Sequence, residues 1–331
     1  MLNPDLKLNG NLFTDDVDQQ TTRLGFGEGL LELGKTNENV VVLTADLTES
    51  THCHKFAKEF PQRFFQCGVA EQNMAAIAAG LAVSGKIPFI ASYATFSPGK
   101  NWETVRTTII YNSANVKIAG HHSGIMTGPD GATHQATEDI AIMRALPNVG
   151  IFVPCDSNQS KRATIESSSI DGPVYIRFSR DKTPIITTEE TPFIPGKIDV
   201  YWQGKNPSVT VFATGYMLYH ALVAAKELEE EGVNVDVANV STIKPLDTKS
   251  VVNLVKATGA AVTVEDHQIT GGLGGAIAET LATNHPAPIE FIGLRDTFAE
   301  SGKPQELLEK YKMDKNAIKE AAKKVVGRKK P

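Results

Sequence analysis

The chain has 331 residues, of which 41% are apolar and 21% charged, and its net charge is −5. This length predicts two domains that bury a full hydrophobic core, and the negative charge argues against nucleic acid as the main partner. No apolar run approaches the roughly 18 residues that span a membrane, and the polar, acidic N-terminus indicates neither a signal peptide nor a transit peptide. The three cysteines are odd in number and widely spaced, which favours a reducing, cytoplasmic compartment.

Short apolar strands alternate with helical patterns in the first half of the chain. The strands are predicted at 40–43, 87–91, 116–119, 150–153 and 174–178, and the helices at 22–35, 72–84, 102–112 and 157–168. Such alternation is typical of a parallel sheet that is covered by helices on both faces.

A second alternating region follows a proline-rich polar stretch at 183–207, which indicates an interdomain connection. Strands are predicted at 209–213, 233–238, 260–264 and 289–292, with helices at 216–231 and 275–283. We therefore predict an α/β protein of two domains, each a mostly parallel sheet flanked by helices. The boundaries are a first domain at 1–185, a linker at 186–207 and a second domain at 208–331. The basic cluster at 323–330 predicts a solvated tail.

One carboxylate opens an otherwise small and apolar predicted helix. Glu71 lies in the segment CGVAEQNM at 67–74, which continues into an Ala-rich stretch. An acidic residue at a helix start complements the helix dipole. The alternative is a buried carboxyl group that meets a ligand nitrogen and whose pKa is raised by desolvation.

A glycine- and histidine-rich loop follows the predicted strand at 116–119. Residues 120–135 carry three histidines (His121, His122 and His134), Asp130 and four glycines. Ligands bind at the carboxyl ends of parallel strands, glycines let a backbone approach a ligand closely, and imidazoles transfer protons near neutral pH. The cluster therefore predicts a binding or catalytic loop, and the lack of cysteine disfavours zinc.

These two segments resemble the C-terminal half of a transketolase, a thiamine diphosphate enzyme. The motifs that carry the resemblance are GVAEQN at 68–73 and GPDGATHQ at 128–135, with TADLTES at 44–50, ALPN at 145–148, PVYIR at 173–177 and VEDH at 264–267. The resemblance implies a pyrimidine-binding domain followed by a C-terminal transketolase domain. It also implies transfer of a two-carbon ketol unit from a ketose phosphate to an aldose phosphate, as in pentose phosphate metabolism.

The resemblance also implies a set of cofactor-binding residues. Glu71 resembles the catalytic glutamate that hydrogen-bonds the pyrimidine N1′ of thiamine diphosphate. Phe96 is similar to the aromatic residue that stacks on the pyrimidine, although Tyr93 or Phe89 are alternatives in this turn. Further cofactor contacts are implied at Asp46, Leu47, Val69 and Tyr93.

Substrate-binding residues follow from the same resemblance. His122 and His134 match substrate-facing histidines with a catalytic role, and Asp130 matches an aspartate that contacts a sugar hydroxyl. Phosphate-binding positions are implied at Arg23, Ser50 and Arg180, where a guanidinium suits a sugar phosphate.

The motif that binds magnesium in transketolases, Gly-Asp-Gly, does not occur in this sequence. We therefore expect no metal ligand in this chain, and we expect Mg²⁺ and the diphosphate to be held by a separate N-terminal subunit. The resemblance then implies a split enzyme that is active only with this partner, in an α2β2 assembly that includes homodimerisation.

Other functions stay open at this stage. The beta subunit of the first component of a 2-oxo-acid dehydrogenase shares this length and an AEQ setting, whereas 1-deoxyxylulose-5-phosphate synthases are usually one long chain. The segment THCH at 51–54 suggests a metal-binding or scaffolding module. The glycines at 271–275 suggest a dinucleotide site, but their spacing departs from the G-x-G-x-x-G pattern.

Overall fold

The computed structural model describes residues 1–329 and contains three sheets. Its strands are β1 (Gln19–Thr21), β2 (Val40–Thr44), β3 (Phe64–Gln66), β4 (Ile87–Tyr93), β5 (Lys117–His121), β6 (Gly150–Phe152), β7 (Val174–Arg177), β8 (Lys182–Pro184), β9 (Asp199–Trp202), β10 (Val209–Ala213), β11 (Val235–Asn239), β12 (Thr242–Lys244), β13 (Ala261–Gln268) and β14 (Ile289–Leu294). The α-helices are α1 (Thr22–Thr36), α2 (His54–Glu59), α3 (Glu71–Val83), α4 (Trp102–Thr104), α5 (Asp139–Arg144), α6 (Ser157–Ser168), α7 (Met217–Glu230), α8 (Thr248–Thr258), α9 (Leu273–Asn284), α10 (Pro304–Lys310) and α11 (Lys315–Val326).

The first large sheet has seven strands in the order β12-β6-β7-β5-β4-β2-β3. All neighbouring strands are parallel except β12, which runs antiparallel to β6. Every residue of β2 and β5 is buried, because helices cover both faces of the sheet. This explains why these strands have continuous apolar runs instead of alternating patterns.

The second large sheet has five strands in the order β14-β13-β10-β11-β9, parallel except for β9 at the edge. Its apolar face packs against α7 and α11, whose buried side chains share one core with β10 and β13. The predicted fold class, two α/β units with mostly parallel sheets flanked by helices, is confirmed.

The two units exchange short segments. Near the N-terminus, Leu2 bridges to Trp202 of β9, and Leu6, Leu12 and Val17 are buried in the core of the five-stranded sheet. Conversely, β12 belongs to the C-terminal part of the chain but pairs with β6 at the edge of the seven-stranded sheet. The boundaries at residues 185 and 208 stay a prediction, and the predicted linker contains β9.

Several local expectations differ from the structure. The predicted helix at 102–112 is three residues of α4 followed by wider π-type turns over Val105–Ile110. The basic cluster is exposed but partly helical within the described residues: Lys323 and Lys324 lie in the last turn of α11, and Lys324 and Arg328 pair with Glu290. Lys330 lies outside the described residues. Between residues 1 and 329, no helix is both long and apolar enough to cross a bilayer.

Candidate active site

The candidate residues follow the carboxyl ends of four parallel strands. In the order β2, β4, β5 and β7, these strands end beside Asp46, Tyr93, His122 and Arg180. Because neighbouring parallel strands end at one edge of a sheet, four distant parts of the sequence meet there. Glu71 begins α3, directly after β3 at the end of the same sheet.

Glu71 is almost completely buried, although it is the first residue of its helix. Its Oε2 accepts a hydrogen bond from Nζ of Lys100 at 2.7 Å. The Asn101 side chain donates to the backbone carbonyl of Glu71 at 3.1 Å and to the Ser97 hydroxyl at 3.1 Å. A buried carboxylate that is reached by a flexible ammonium is available to a different nitrogen once the lysine moves away. This geometry favours the ligand-binding interpretation over a simple helix-dipole role.

An aromatic cluster is linked to this carboxylate through the turn that carries Lys100. The Tyr93 and His122 rings stack with centroids 3.7 Å apart, and Tyr93 lies nearly parallel to Phe96 at 5.9 Å. The ring of His134 meets Phe96 edge-on at 5.4 Å. The turn Thr95–Lys100 carries both Phe96 and the lysine that pairs with Glu71. By contrast, Phe89 is fully buried in the core next to Phe26.

His122 is held as a neutral imidazole. Its backbone has a φ of +52°, and its carbonyl accepts from the Thr127 hydroxyl at 2.6 Å. Burial, reinforced by the charges of Arg23 and Arg180, lowers the pKa of His122 to about 2. Its Nδ1 is buried and has no hydrogen-bond partner among residues 1–329. An unpaired buried polar atom is costly, and here it indicates a place for a ligand group.

A second group of residues gathers around Arg23. Its guanidinium donates to the carbonyl of Ser50 at 2.6 Å and to the carbonyl of Arg180 at 2.8 Å. The Arg180 side chain lies 3.9 Å from the carboxylate of Asp130. The three predicted phosphate-binding residues and the predicted hydroxyl-binding aspartate are therefore neighbours. Burial lowers the pKa of Arg23.

The remaining predicted cofactor contacts form a separate edge of the site. The backbone N–H groups of Asp46 and Gly68 both donate to Oε1 of Gln66, at 2.7 and 3.2 Å. This brings Asp46 and Leu47 next to the turn that carries Val69. The Asp46 side chain is exposed, as is Val69, so this edge is open to a ligand or a partner.

Three of the loop glycines pack against another part of this chain on the side where a side chain would stand. That their backbone also approaches a ligand stays a prediction. Gly124, Gly128 and Gly131 have φ values of +73°, +67° and +73°, and each faces the C-terminal part of the chain. Gly120 faces the ring of Tyr175. A turn-rich sequence correctly predicts left-handed backbone, but it carries no information about what the backbone approaches.

The suggested metal site at 51–54 does not converge. The Cys53 thiol is buried in the core and accepts from the Thr51 hydroxyl at 3.2 Å, and burial raises its pKa to about 12. The rings of His52 and His54 are 5.8 Å apart. Within the described part of the chain, no three His, Cys, Asp or Glu side chains are grouped to hold a metal.

The glycines at 271–275 do not form a phosphate-binding turn. The Glu265 carboxylate already accepts the N–H groups of Leu273 and Gly274 at the start of α9, at 2.7 and 2.8 Å. A Cβ at Gly272 would lie 2.1 Å from the same carboxylate. These glycines thus allow a close approach between helix and strand.

Two site residues were missed by the sequence analysis. Lys100 and Asn101 contact Glu71 from 29 and 30 residues away, with no periodic relation to it. The only local signal was the turn sequence Ser97-Pro98-Gly99 directly before them. Such a signal predicts a turn but does not predict which side chain the turn presents to the carboxylate.

Family models match nearly the whole of this architecture. The pyrimidine-binding domain of transketolase matches residues 18–185, and the transketolase C-terminal domain matches residues 198–318. The chain belongs to the transketolase family. Membership implies thiamine diphosphate as the cofactor of the family.

Some relatives of this transketolase-family chain have a similar length, whereas this chain spans about half of others, such as the transketolase of Homo sapiens, which is 34% identical over 92% of this chain and 49% of its own length. A transketolase C-terminal section of Methanocaldococcus jannaschii is 46% identical over 89% of this chain and 93% of its own length. A 6-deoxy-6-sulfo-D-fructose transketolase subunit of Clostridium sp. (strain MSTE9) is 39% identical over 96% and 98%. A solved split-gene transketolase, described as an inactive β4 tetramer, superposes with a TM-score of 0.87 at 43% identity, covering 94% of this chain and 99% of that one.

Proposed function

We propose that this chain is the C-terminal subunit of a split thiamine diphosphate-dependent transketolase. It transfers a two-carbon ketol unit from a ketose phosphate to an aldose phosphate. The observation that carries the proposal is the buried carboxylate of Glu71 next to the aromatic and histidine cluster of Tyr93, Phe96, His122 and His134. The same edge of the sheet holds the arginines for an anionic substrate.

The residues present fit the pyrimidine half of thiamine diphosphate. When bound, this cofactor supplies the nucleophilic carbon and the electron sink for breaking a carbon–carbon bond next to a ketone. Glu71 would hold a proton at the pyrimidine N1′ once Lys100 leaves its carboxylate. Phe96 and Tyr93 would cover the flat ring and exclude water, and their nearly parallel rings 5.9 Å apart suit stacking.

The histidines serve the substrate in this proposal. His122 is neutral at physiological pH, and its unpaired Nδ1 would bond a sugar hydroxyl. His134 has its Nδ1 bonded to the Thr133 hydroxyl at 2.9 Å, which fixes the ring orientation for proton transfer at Nε2.

The substrate carries an anionic group at the end away from the reacting carbon. Arg23 and Arg180 form the cationic side of the site, and Asp130 next to Arg180 suits a sugar hydroxyl. A phosphate or a sulfonate satisfies this chemistry, and one relative is a subunit that acts on a sulfonated ketose. We propose the phosphorylated pentose and hexose sugars as the principal substrates.

A partner chain would complete the site. The exposed positions of α3 begin beside Glu71 with the polar residues Gln72 and Asn73 and continue with the small or apolar residues Ala76, Ile77, Gly80 and Val83. Val69, which is 71% exposed, precedes this helix. An exposed apolar surface of this kind marks an interaction site. We propose that an N-terminal subunit covers it and supplies the Mg²⁺ and diphosphate ligands, in an α2β2 assembly.

The test is a substrate panel on the assembled enzyme, with thiamine diphosphate and Mg²⁺ present. Xylulose 5-phosphate with ribose 5-phosphate is expected to give sedoheptulose 7-phosphate, while pyruvate is expected to give no product. Decarboxylation of pyruvate or another 2-oxo acid without ketol transfer would instead indicate the dehydrogenase alternative. A preference for a sulfonated ketose would show that the proposed phosphorylated substrates are wrong, but it would still support ketol transfer as the reaction.

A further inference from the structure

The loop at 124–136 is pressed against the C-terminal part of the chain at three glycines. The nearest atoms to a Cβ built on Gly124, Gly128 and Gly131 are Oδ2 of Asp266 at 1.9 Å, the carbonyl oxygen of Gly302 at 3.2 Å and Oγ of Ser301 at 2.5 Å. All three glycines have positive φ, so a side chain there would be strained as well as obstructed. The loop therefore needs these glycines in order to seat against the five-stranded sheet and the segment that precedes α10.

Asp266 makes the closest of these contacts. It is a buried residue of β13, and its two carboxylate oxygens accept the backbone N–H groups of Ile125 at 2.9 Å and Met126 at 3.3 Å. These two residues begin the short turn Ile125–Asp130, which ends at the proposed hydroxyl-binding aspartate. A carboxylate that accepts two backbone N–H groups fixes both the position and the orientation of the turn.

The far end of the loop is tied to the same place. The guanidinium of Arg177 donates to the carbonyl of Ala136 at 3.2 Å and to the carbonyl of Asp266 at 2.8 Å. The N–H of Gly124 donates to the carbonyl of Ala136 at 2.7 Å, which closes the loop at its base. The first residues of the loop are thus held by the Asp266 carboxylate and its far end by Arg177, which also bonds the Asp266 carbonyl, while Asp130 and His134 lie between them.

We propose that Asp266 is a positioning residue, through which the C-terminal domain holds Asp130 and His134 in place for the sugar phosphate. This inference rests on the proposed function for its substrate. It assigns the C-terminal domain a direct part in substrate recognition, since a residue of its central sheet bonds the loop that carries two substrate contacts.

The first test follows the loop itself, in the full chain without any partner. In Asp266→Asn, one carboxylate oxygen becomes an NH₂ group, so one of the two backbone N–H groups loses its acceptor. Hydrogen exchange of a peptide that covers 124–136 is expected to accelerate tenfold or more. The matched control is Asp247→Asn, because Asp247 also accepts two backbone N–H groups, from Ser250 and Ile198, but at the N-cap of α8, away from the loop. Unchanged exchange at 124–136 in Asp266→Asn would overturn the anchoring.

The second test measures steady-state kinetics in the assembled enzyme. The KM for the sugar phosphates is expected to rise tenfold or more in Asp266→Asn, and kcat is expected to fall by a smaller factor, because the same loop carries His134. Gly124→Ala is a second variant that displaces the same contact while leaving the aspartate intact, and it is expected to reproduce the rise in KM. A drop in kcat with unchanged KM in both variants would overturn positioning, whereas an inactive wild-type assembly would refute the proposed function instead.

Discussion

The two halves of the candidate site are held in different ways. Glu71 is held by residues of its own sheet, because Lys100 and Asn101 both belong to the seven-stranded unit. The 124–136 loop is held by the other unit, through Asp266 and through the Gln135 side chain, which donates to the carbonyl of Glu300 at 3.1 Å. The cofactor side of the site is thus a local construction. The part of the substrate side that lies on this loop depends on how the two sheets are docked, whereas Arg23 bonds Ser50 and Arg180 within the seven-stranded unit.

This difference predicts that variants on the two sides have different signatures. A change at Glu71 affects chemistry without affecting the fold, whereas a change at the junction of the two sheets affects stability and substrate affinity together. Substitutions at Glu71, Arg177, His267 and Lys100 test this distinction.

Glu71→Gln is expected to lower kcat of the assembled enzyme by about 100-fold or more, because an amide cannot hold and release a proton at the cofactor nitrogen. The thermal unfolding midpoint is expected to stay within a few degrees of the wild type. Glu306→Gln on the surface of α10 is the control. Retention of more than about a third of the activity in Glu71→Gln, at equal folding, would remove the proposed role.

Arg177→Met is expected to lower the free energy of unfolding by about 3–5 kcal/mol, because it leaves the Asp139 carboxylate buried without its partner. The guanidinium lies 2.7 Å from this carboxylate and also bonds the backbone of Asp266. Burial alone would raise the pKa of Asp139, but the Arg177 charge holds it below its usual range. Urea unfolding measures the loss.

The control for this variant is Arg180→Met. Arg180 is half-buried and its ion pair with Asp130 spans 3.9 Å, so the expected loss of stability is below about 1 kcal/mol. An equal decrease in the free energy of unfolding for the two substitutions would show that contacts at the junction of the sheets contribute no more to stability than a surface ion pair does.

His267→Gln is expected to weaken the acid sensitivity of the fold. The Nε2 of His267 accepts the N–H of Ala141 at 3.3 Å, and its Nδ1 lies 2.6 Å from the carbonyl of Gln268. This pattern fits only a neutral ring. Burial lowers the pKa of His267 to about 4, with Arg177 acting in the same direction and the nearby Asp139 carboxylate opposing it.

The pKa of His267 in the folded chain lies below its value of about 6.5 in the unfolded chain. The neutral ring therefore makes its full contribution to the free energy of unfolding above about pH 6.5, and this contribution is lost as the pH falls toward 4. At pH 5 the loss from this group amounts to about 2 kcal/mol. Urea unfolding at pH 7 and pH 5 measures it, with His285→Gln as the surface control. An identical pH dependence in wild type and His267→Gln would contradict this assignment.

Lys100→Met is expected to have the smallest effect, a decrease of about threefold in the Kd of thiamine diphosphate for the assembled enzyme. The ammonium occupies the Glu71 oxygen at 2.7 Å and is nearly half-exposed, so the cofactor displaces only a weak ion pair. Calorimetric titration measures the change, and Lys205→Met on an exposed loop is the control. A marked weakening of cofactor binding would mean that Lys100 contacts the cofactor directly.

The sequence predicted the parts of the molecule that depend on local pattern. The buried runs at 40–43 and 116–119 are long enough to identify strands. The apolar residues that follow Glu71 are sufficient to predict the helix that begins there. Short strands such as β9, with four residues, and β12, with three, are too short to show a period, and the sequence pattern does not predict them. The Lys100 contact and the partner of Gly124 depend on tertiary packing, which no local pattern encodes. The histidine loop follows a strand as its sequence predicts, but the sequence does not show that three of its glycines pack against the C-terminal part of the chain.

We propose that this chain provides half of an active site and that a second chain completes it. An assay of ketol transfer from xylulose 5-phosphate to ribose 5-phosphate with thiamine diphosphate and Mg²⁺ tests this proposal, first with this chain alone and then with a co-expressed subunit that contains Gly-Asp-Gly. We predict no transfer by the chain alone and full transfer by the mixture. Equal transfer without the second subunit, or none in either sample, would contradict the account.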